Sequence, residues 1–411
     1  MSIAGIIEGI EVSDSESLKK EAIAEVDSIS RKLVEISDKI HGFAEIGHQE
    51  FETSKLLSSE LEKAGFRVEK PVCGLATAFK ATISGKSGGP TVALLAEMDA
   101  LEGIGHGCGH NIIGTASLGA ALALRKIMSR INGTLVVYGT PAEEGGVENA
   151  GGKVIMANEI AKNADVAMMV HPSNSTSVEA IHIAREALEF EFFGRAAHAG
   201  GSPHEGINAL NAVIHFFTLV DSLRQHVKSD VRIHGIITDG GKATNVVPEH
   251  AAAKMYVRAE DKEYMKEVVG KVKKCAEGAA VATGTTMKVR NYANTLENTV
   301  TNQALAEAMK KNWERIGVKV EQKEREGGGS SDIGNVSQVV PAIHPYIAIG
   351  PENMPGHSTE FVKAAASEQG HQGLIYAAKG LAMTSIDVFT NPELLAKIKK
   401  EFKEYKEQKK K

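Results

Sequence analysis

The chain has 411 residues, a formal net charge of −5 and 42% hydrophobic residues, the composition of a globular protein of two or three domains. It has no overall basic charge to favour nucleic acid or a membrane surface, and no apolar run approaches the roughly 20 residues of a membrane span. Three cysteines are too few for a disulfide framework, so we predict a reducing, cytoplasmic compartment. The acidic N-terminal segment lacks the pattern of a signal peptide.

The first part of the chain alternates between helical and strand-like patterns. Apolar residues at helical spacing predict one helix from Ser15 to about Ile40. Two strand-like runs, Phe79–Ser84 and Thr91–Leu95, enclose a glycine-rich segment and predict a hairpin. The other predicted elements are helix 49–64, helix 112–128, strand 135–139, helix 153–163 and strand 166–170. This alternation predicts an α/β domain with a mostly parallel sheet.

Near Ile181 the pattern changes to a compact β-α-β-β-α-β unit. Its predicted elements are Ala187–Phe193, Ile207–Arg224, Val231–Thr238, His250–Arg258, Glu263–Thr283 and Met287–Tyr292. We interpret this unit as an α+β, ferredoxin-like domain at 184–297, inserted into a first domain made of residues 1–183 and 298–411.

After about Leu296 the α/β pattern resumes. It contains helix 302–316, a glycine-rich loop from Gly327, a strand-like run at 343–350 and a long helix at 364–383. The Lys/Glu-rich segment Pro392–Lys411 predicts a solvated terminal helix.

Four of the apolar runs each lead into a candidate metal ligand. These are Thr91–Asp99 before Cys108 and His110, Leu135–Gly139 before Glu143 and Glu144, Val166–Val170 before His171, and Ile343–Gly350 before His357. Open α/β sheets place their functional sites at the carboxyl ends of strands. The four runs therefore predict one site at one edge of the sheet.

The residue types at this edge are those that bind transition ions. A thiolate, imidazoles and carboxylates together suit zinc or a similar metal, and five ligands suit two ions about 3.5 Å apart. Cys108 and His110 alternate in a glycine-rich turn, so both side chains can face one ion. Asp99 can orient a ligand or join two metals. Of Glu143 and Glu144, one can bind metal while the other moves a proton between a water molecule and a leaving amine.

Each of these residues taken alone has a simpler structural explanation, such as a buried cysteine, a loop histidine or a solvated helix start. Two other patterns are set aside. Gly85–Gly89 matches the G-x-S-x-G pattern around Ser87, but Pro90 and a strand follow instead of the helix that a serine-hydrolase turn requires. Gly103–Gly107 fits neither the dinucleotide nor the P-loop glycine spacing.

Assembled, these segments resemble the dinuclear-metal aminoacylase and carboxypeptidase family. The subfamily resembled contains p-aminobenzoyl-glutamate hydrolase and aminoacylase-1-like dipeptidases. The matching stretches are 96–101 (AEMDAL), 107–111 (GCGHN), 140–145 (TPAEEG), 169–172 (MVHP), 197–200 (AHAG), 245–248 (NVVP), 331–334 (SDIG) and 356–358 (GHS). They extend over most of the chain in the family's order, and as a set they are highly specific.

The resemblance implies a catalytic domain built from both ends of the chain and a lid domain that mediates a homodimer. It implies two divalent ions, Zn²⁺ or Mn²⁺, with the protein ligands Cys108, His110, Glu144, His171 and His357. Glu143 is implied as general base and acid, and Asp99 as a residue that supports the ligands. Cys108 occupies the position at which the better-known carboxypeptidase branch has a bridging aspartate. The resemblance therefore does not decide between Zn²⁺ and Mn²⁺ as the preferred ion.

Lid residues are also implied to contact the substrate. His198 would reach a neighbouring active site and help to polarise the scissile carbonyl, while Asn245 and Arg258 would hold the substrate carboxylate. Ser331, in a glycine-rich loop, would line the pocket or, equally, cap a helix.

The sequence therefore predicts a metal-dependent hydrolase of N-acyl amino acids, dipeptides or aminobenzoyl-glutamate-like amides, acting on a small molecule. The alternatives are a specialised dipeptidase or carboxypeptidase, a non-catalytic metal-binding homologue, and a serine hydrolase that uses Ser87.

Overall fold

The computed structural model describes residues 3–321 and 329–409, with side chains from residue 14 onward. The helices are α1 (Ile3–Ser28), α2 (Ser30–Phe43), α3 (Phe51–Lys63), α4 (His110–Arg125), α5 (Gly152–Asn163), α6 (Ala209–Leu223), α7 (Lys262–Thr283), α8 (Gln303–Arg315), α9 (Ile333–Ser337), α10 (Thr359–Ala365), α11 (Glu368–Thr390) and α12 (Pro392–Gln408).

The strands are β1 (Arg67–Glu69), β2 (Phe79–Ser84), β3 (Lys86–Glu97), β4 (Asn132–Thr140), β5 (Val166–Met168), β6 (His171–Ser173), β7 (Ala184–Phe193), β8 (Arg232–Asp239), β9 (His250–Ala259), β10 (Thr286–Asn291), β11 (Ala342–Ile343) and β12 (Tyr346–Ala348). Gly327 and Gly328 of the predicted loop and the last two residues of the predicted terminal helix lie outside the described residues. Within the described part of the chain, no helix is both long and apolar enough to cross a membrane.

The described residues form two compact units. Unit 1 comprises the described residues of Met1–Ile181, Thr299–Glu326 and Asn335–Lys411, and unit 2 comprises those of His182–Asn298 and Gly327–Gly334. The catalytic and lid roles that we assign to the predicted domains stay predictions.

Unit 1 is built on a six-stranded sheet in the order β1-β2-β4-β3-β5-β11. The strands β4, β3, β5 and β11 are mutually parallel, whereas β1 and β2 add antiparallel pairs at one side. Helix α4 is buried along its length and packs against β3 and α11. A parallel sheet buried in this way explains why its strands are apolar runs without alternation. The predicted α/β class is confirmed.

The predicted hairpin between β2 and β3 is wrong, because β4 lies between these two strands. Their glycine-rich link instead wraps closely around the start of β4. The backbone amide of Lys86 donates to the carbonyl of Ile131 at 2.7 Å, and a Cβ on Gly89 would lie 2.3 Å from the carbonyl oxygen of Asn132. The glycines therefore serve this close approach and not a tight turn between neighbouring strands.

Two predicted helices are each divided into two. The helix predicted over Ser15–Ile40 is interrupted at Ile29, where the hydroxyls of Ser28 and Ser30 donate to backbone carbonyls three residues earlier, at 2.9 and 2.8 Å. Such bonds compete with the helical hydrogen-bond pattern. The second division falls before Ser367, whose hydroxyl accepts from the amide of Gly370 and caps α11.

Unit 2 is a four-stranded antiparallel sheet in the order β10-β7-β9-β8. Helices α6 and α7 pack on one face over a core that contains Phe190, Phe216 and Val272, and the two phenylalanine rings lie 4.5 Å apart. The chain order β-α-β-β-α-β with this strand order is the ferredoxin-like arrangement, as predicted.

Candidate metal centre

The predicted ligands of unit 1 gather at the carboxyl edge of its parallel strands. Glu97 ends β3, and Asp99 follows it. His171 begins β6, which follows β5 after two residues and pairs in parallel with β12 in a separate two-stranded sheet. Because parallel strands end at the same edge, residues far apart in sequence meet there.

His110 lies at the centre of a group with Glu97, which is also buried, and His171, which is half-buried, and one donor atom from each lies within 4.8 Å of the others. The Nδ1 atom of His110 is 3.1 Å from Asp99 Oδ1, and its Nε2 atom is 3.2 Å from Glu97 Oε2. The rings of His110 and His171 lie edge to face, with centroids 5.8 Å apart. Asp99 therefore orients the ring so that Nε2 faces the other donors.

A second group contains Cys108, Glu144 and His357, with donor atoms also within 4.8 Å of one another. The backbone holds the two loops together, because the amide of His357 donates to the carbonyl of Gly107 at 3.1 Å. Glu144 Oε1 is 3.9 Å from His357 Nε2 and 3.9 Å from His110 Nε2. Glu144 therefore lies close to donor atoms of both groups.

The turn after β4 places Glu143 and Glu144 beside His110, and donor atoms of these three residues lie within 4.8 Å. Ala142, just before them, is buried with φ of 55°. Its amide donates to Glu50 Oε1 at 2.8 Å, and the amide of Glu144 donates to Asp99 Oδ2 at 2.9 Å. A left-handed alanine costs on the order of 1 kcal/mol or more, and such strain is concentrated at functional sites.

The electrostatics of the site reflect an excess of negative groups. Burial raises the pKa of the Cys108 thiol, and the carboxylates of Glu144 and Glu143 raise it further. Burial alone would lower the pKa of His110, but the carboxylates of Glu97 and Asp99 hold it well above the usual value. A bound cation neutralises such a site and deprotonates a coordinating thiol.

The donor set fits a metal ion. His110 Nε2 and Glu144 Oε1 are buried and have no hydrogen-bond partner among the described residues. Buried polar atoms of this kind are rare unless water or an ion satisfies them. Thiol, imidazole and carboxylate donors are those that Zn²⁺ and related ions take in proteins.

Gly109 fixes the turn that joins Cys108 to His110. It has φ of 69°, and a Cβ there would lie 2.5 Å from Pro172 Cγ. We expect Gly109→Ala to lower the free energy of unfolding by about 1 kcal/mol or more, because alanine adds both backbone strain and a clash. Urea unfolding measures this change, with Gly146→Ala, where the added Cβ would contact nothing within 4 Å, as control. Equal stability of the two variants would contradict this explanation.

Sequence reasoning missed two residues of the site. Glu97 is 1% exposed and lies two residues before Asp99, and alternate residues of an extended segment face the same side. That spacing was the available signal. Lys153 on α5 is completely buried, and its Nζ atom is 2.7 Å from Glu97 Oε1. Nothing in the sequence around Lys153 distinguishes it from a surface lysine.

The predicted substrate residues lie in unit 2. His198 and Asn245 are exposed neighbours, since the amide of Ala199 donates to the carbonyl of Asn245 at 3.0 Å. Arg258 is half-buried, and its guanidinium lies 3.3 Å from the hydroxyl of Ser330. Ser331 is buried with its hydroxyl 3.5 Å from the amide of Ile333, the geometry of the helix-cap alternative.

A parallel sheet whose carboxyl edge gathers a thiol, imidazoles and carboxylates has the organisation of a metal-dependent hydrolase. Residues 93–379 match the model of peptidase family M20/M25/M40, and the chain belongs to this family. The resemblance stated from the sequence is therefore confirmed, as is the prediction of an enzyme that hydrolyses amide or peptide bonds. Peptidases of this family depend on metal ions.

Two relatives match over nearly the whole chain. The Xaa-Arg dipeptidase of Mus musculus is 35% identical over 95% of this chain and 93% of its own length. A p-aminobenzoyl-glutamate hydrolase polypeptide of Escherichia coli is 30% identical over 92% of this chain and 93% of its own. A solved dinuclear metal binding peptidase of the M20 family from Bacillus subtilis shares the fold, with a TM-score of 0.66, 20% identity and coverage of 88% of this chain and 99% of that one.

Proposed function

We propose that this protein hydrolyses the amide bond of a dipeptide, an N-acyl amino acid or an aminobenzoyl-glutamate-like compound with the help of two divalent metal ions. The observation that carries the proposal is the pair of adjoining donor groups at one sheet edge, with Glu143 beside them. The similarity to an Xaa-Arg dipeptidase over almost the whole chain favours dipeptides as the first substrates to test.

The ligands of the two ions, Zn²⁺ or Mn²⁺, are proposed to be Cys108, His110, Glu144, His171 and His357. When bound, such ions lower the pKa of a water molecule towards neutrality and polarise the substrate carbonyl. Asp99 positions His110 through the 3.1 Å contact to Nδ1. Its second oxygen accepts from the amide of Glu144, so a single carboxylate helps to place ligands of both groups.

Glu143 is proposed to transfer the proton. Its carboxylate lies with Glu144 and His110 in one donor group, yet the resemblance does not assign it as a ligand. It would accept a proton from the attacking water and then give that proton to the departing amine. Adjacent residues point to different sides, which lets Glu144 bind metal while Glu143 faces the substrate.

Unit 2 is proposed to bind the rest of the substrate. The Nδ1 atom of His198 accepts hydrogen bonds from the amides of Gly200 (3.1 Å) and Gly201 (2.9 Å). A neutral His198 ring therefore carries its proton on Nε2, and this exposed N–H can donate to the oxyanion. Arg258 and Asn245 would bind the substrate carboxylate. Ser331 would contribute to the pocket wall.

Unit 2 is also proposed to form a homodimer. Strand β8 is an edge of its sheet, and its Ile236 and Ile237 are 64% and 45% exposed. An exposed apolar edge strand is a template for pairing with another chain. We expect light scattering to give twice the mass of one chain, and Ile236→Lys to give monomers, whereas Val281→Lys, at an exposed position on α7, leaves the dimer intact. A monomeric wild type would contradict the dimer.

The three cysteines of the chain are free, and this supports the proposed cytoplasmic location.

The experiment that tests the function is amine release, followed by mass spectrometry, from dipeptides with C-terminal arginine, N-acyl amino acids and aminobenzoyl-glutamate. Chelated protein is compared with protein reloaded with Zn²⁺ or Mn²⁺. Cleavage restored by metal supports the proposal, and the preferred substrate distinguishes a dipeptidase from an acyl-amino-acid hydrolase. A folded, metal-loaded dimer that cleaves none of them would instead favour the non-catalytic homologue.

Ser87 provides a separate test against a serine hydrolase. It lies exposed in strand β3, and no helix follows it directly. We expect Ser87→Ala to keep wild-type kcat/KM on the best substrate of that panel, because Ser87 lacks the turn that exposes a nucleophilic serine. A loss of more than about 100-fold, the scale of a lost catalytic group, would contradict the metal mechanism.

A further inference from the structure

Glu97 has an environment that the proposed ligand set does not explain. It is 1% exposed at the end of β3, and its Oε2 atom faces His110 Nε2 at 3.2 Å. No hydrogen bond of acceptable geometry reaches this oxygen or Nε2 from the described residues. A buried carboxylate oxygen is costly unless a partner satisfies it.

The hydrogen bonding of His110 shows which atoms face each other in its contact with Glu97. Its Nδ1 atom is 3.1 Å from Asp99 Oδ1, which fixes the proton of a neutral ring on Nδ1. The lone pair of Nε2 then points at the lone pairs of Glu97 Oε2. Two acceptors at this distance repel each other unless a cation lies between them. A second proton on the ring would satisfy the same two atoms, and the experiment below separates these cases.

Asp99 differs from Glu97 because both of its oxygens are engaged within the site. One of its oxygens contacts His110 Nδ1, and the other accepts from the amide of Glu144 at 2.9 Å. Glu97 is anchored by one oxygen only, because the Nζ atom of Lys153 lies 2.7 Å from Oε1. Lys153 is completely buried, so the pair is held away from water and Oε2 is directed into the site.

We propose that Glu97 is an additional metal ligand, binding through Oε2 the ion that His110 and His171 also hold, and that Lys153 is a positioning residue that fixes the carboxylate. The inference rests on the metal centre of the proposed function. Donor atoms of Glu97, His110 and His171 all lie within 4.8 Å of one another, and the 3.2 Å between His110 Nε2 and Glu97 Oε2 is the separation of two neighbouring ligands of one ion with bonds of about 2.0–2.2 Å. Cys108, Glu144 and His357 form the other group.

The test is Co²⁺ binding to metal-free, full-length protein, with metal content and absorption measured together. Wild type should bind two ions per chain and show thiolate-to-cobalt charge transfer from Cys108. Glu97→Gln should keep this band but bind one of the two ions at least about 100-fold more weakly, the upper end of losses for supporting residues. Lys153→Met should weaken the same ion by about 10-fold, as expected when a ligand loses its orientation.

Glu60→Gln is the matched control, because Glu60 is also a buried carboxylate paired with lysine, at 2.7 Å from Lys63, on α3. It should bind both ions as wild type does. If Glu97→Gln does not fold because Lys153 is left buried without the Glu97 carboxylate, the double variant Glu97→Gln/Lys153→Met removes both members of the charge pair and should lose the same ion.

Two ions bound by Glu97→Gln with wild-type affinity would overturn the inference and leave the metal centre standing. That result would mean that Glu97 lies beside the ion without binding it. A wild type that binds no Co²⁺ would overturn the proposed function, and this inference with it.

Discussion

Replacing Glu143 with glutamine should lower kcat by about 10²–10⁴-fold while the fold and the metal content stay those of the wild type. Glutamine has the size of glutamate but cannot accept the proton of the attacking water. Glu143 lies in one donor group with His110 and Glu144, so the lost charge is close to the reacting atoms. Steady-state kinetics, with metal content measured on the same samples, gives the result.

Glu148→Gln is the control for this experiment, since Glu148 is exposed on the same loop after β4. It should have wild-type kinetics. Turnover by Glu143→Gln within about tenfold of the wild type would remove Glu143 as the proton carrier, because general base catalysis contributes more than this. A loss of turnover accompanied by a loss of metal would make Glu143 a ligand instead.

Replacing Cys108 with serine should remove one tightly bound ion per chain and lower turnover at least about 100-fold. Cys108 shares a donor group with Glu144 and His357, and a serine hydroxyl is a far poorer ligand than a thiolate. Metal analysis after gel filtration and kinetics on the same protein measure both effects. Cys73→Ser, at an exposed cysteine, should change neither. Unchanged metal content in Cys108→Ser would exclude Cys108 as a ligand.

The strand ends at the site were predictable because a strand that is buried on both faces of its sheet is a continuous run of apolar residues in the sequence. Parallel strands of the unit 1 sheet read as apolar runs, and chemistry-bearing residues follow their ends. The pairing order was not predictable in the same way. A glycine-rich segment between β2 and β3 has the local pattern of a hairpin, and only the insertion of β4, more than thirty residues later, decides against it.

The helix division at Ile29 shows a related limit. The apolar spacing continues across it, so the periodicity predicts one helix. At the interruption the hydroxyls of Ser28 and Ser30 donate to carbonyls of the preceding turn. A serine within a helical pattern can point to solvent in an unbroken helix or bond to the backbone where a helix is interrupted, and the sequence does not distinguish the two cases.

Some residues of the site were likewise predictable from the sequence and others were not. Cysteine, histidine and paired glutamates at strand ends have few alternative explanations as a set, so the gathering of Cys108, His110 and Glu144 was predictable. Lys153 was not, because a lysine on an amphipathic helix is usually solvated. Only the packing of α5 against β4 buries it and directs its ammonium group to Glu97. The role of Lys153 therefore depends on a tertiary contact that the local sequence does not predict.

The most direct test of the central claim is a metal titration of the chelated enzyme. Zn²⁺ or Mn²⁺ is added in steps, and bound metal and amine release from the best substrate are measured on each sample. We predict that metal-free protein is inactive and that activity rises until two ions are bound per chain. Full activity in the metal-free protein, or binding of ions without any gain in activity, would contradict the account.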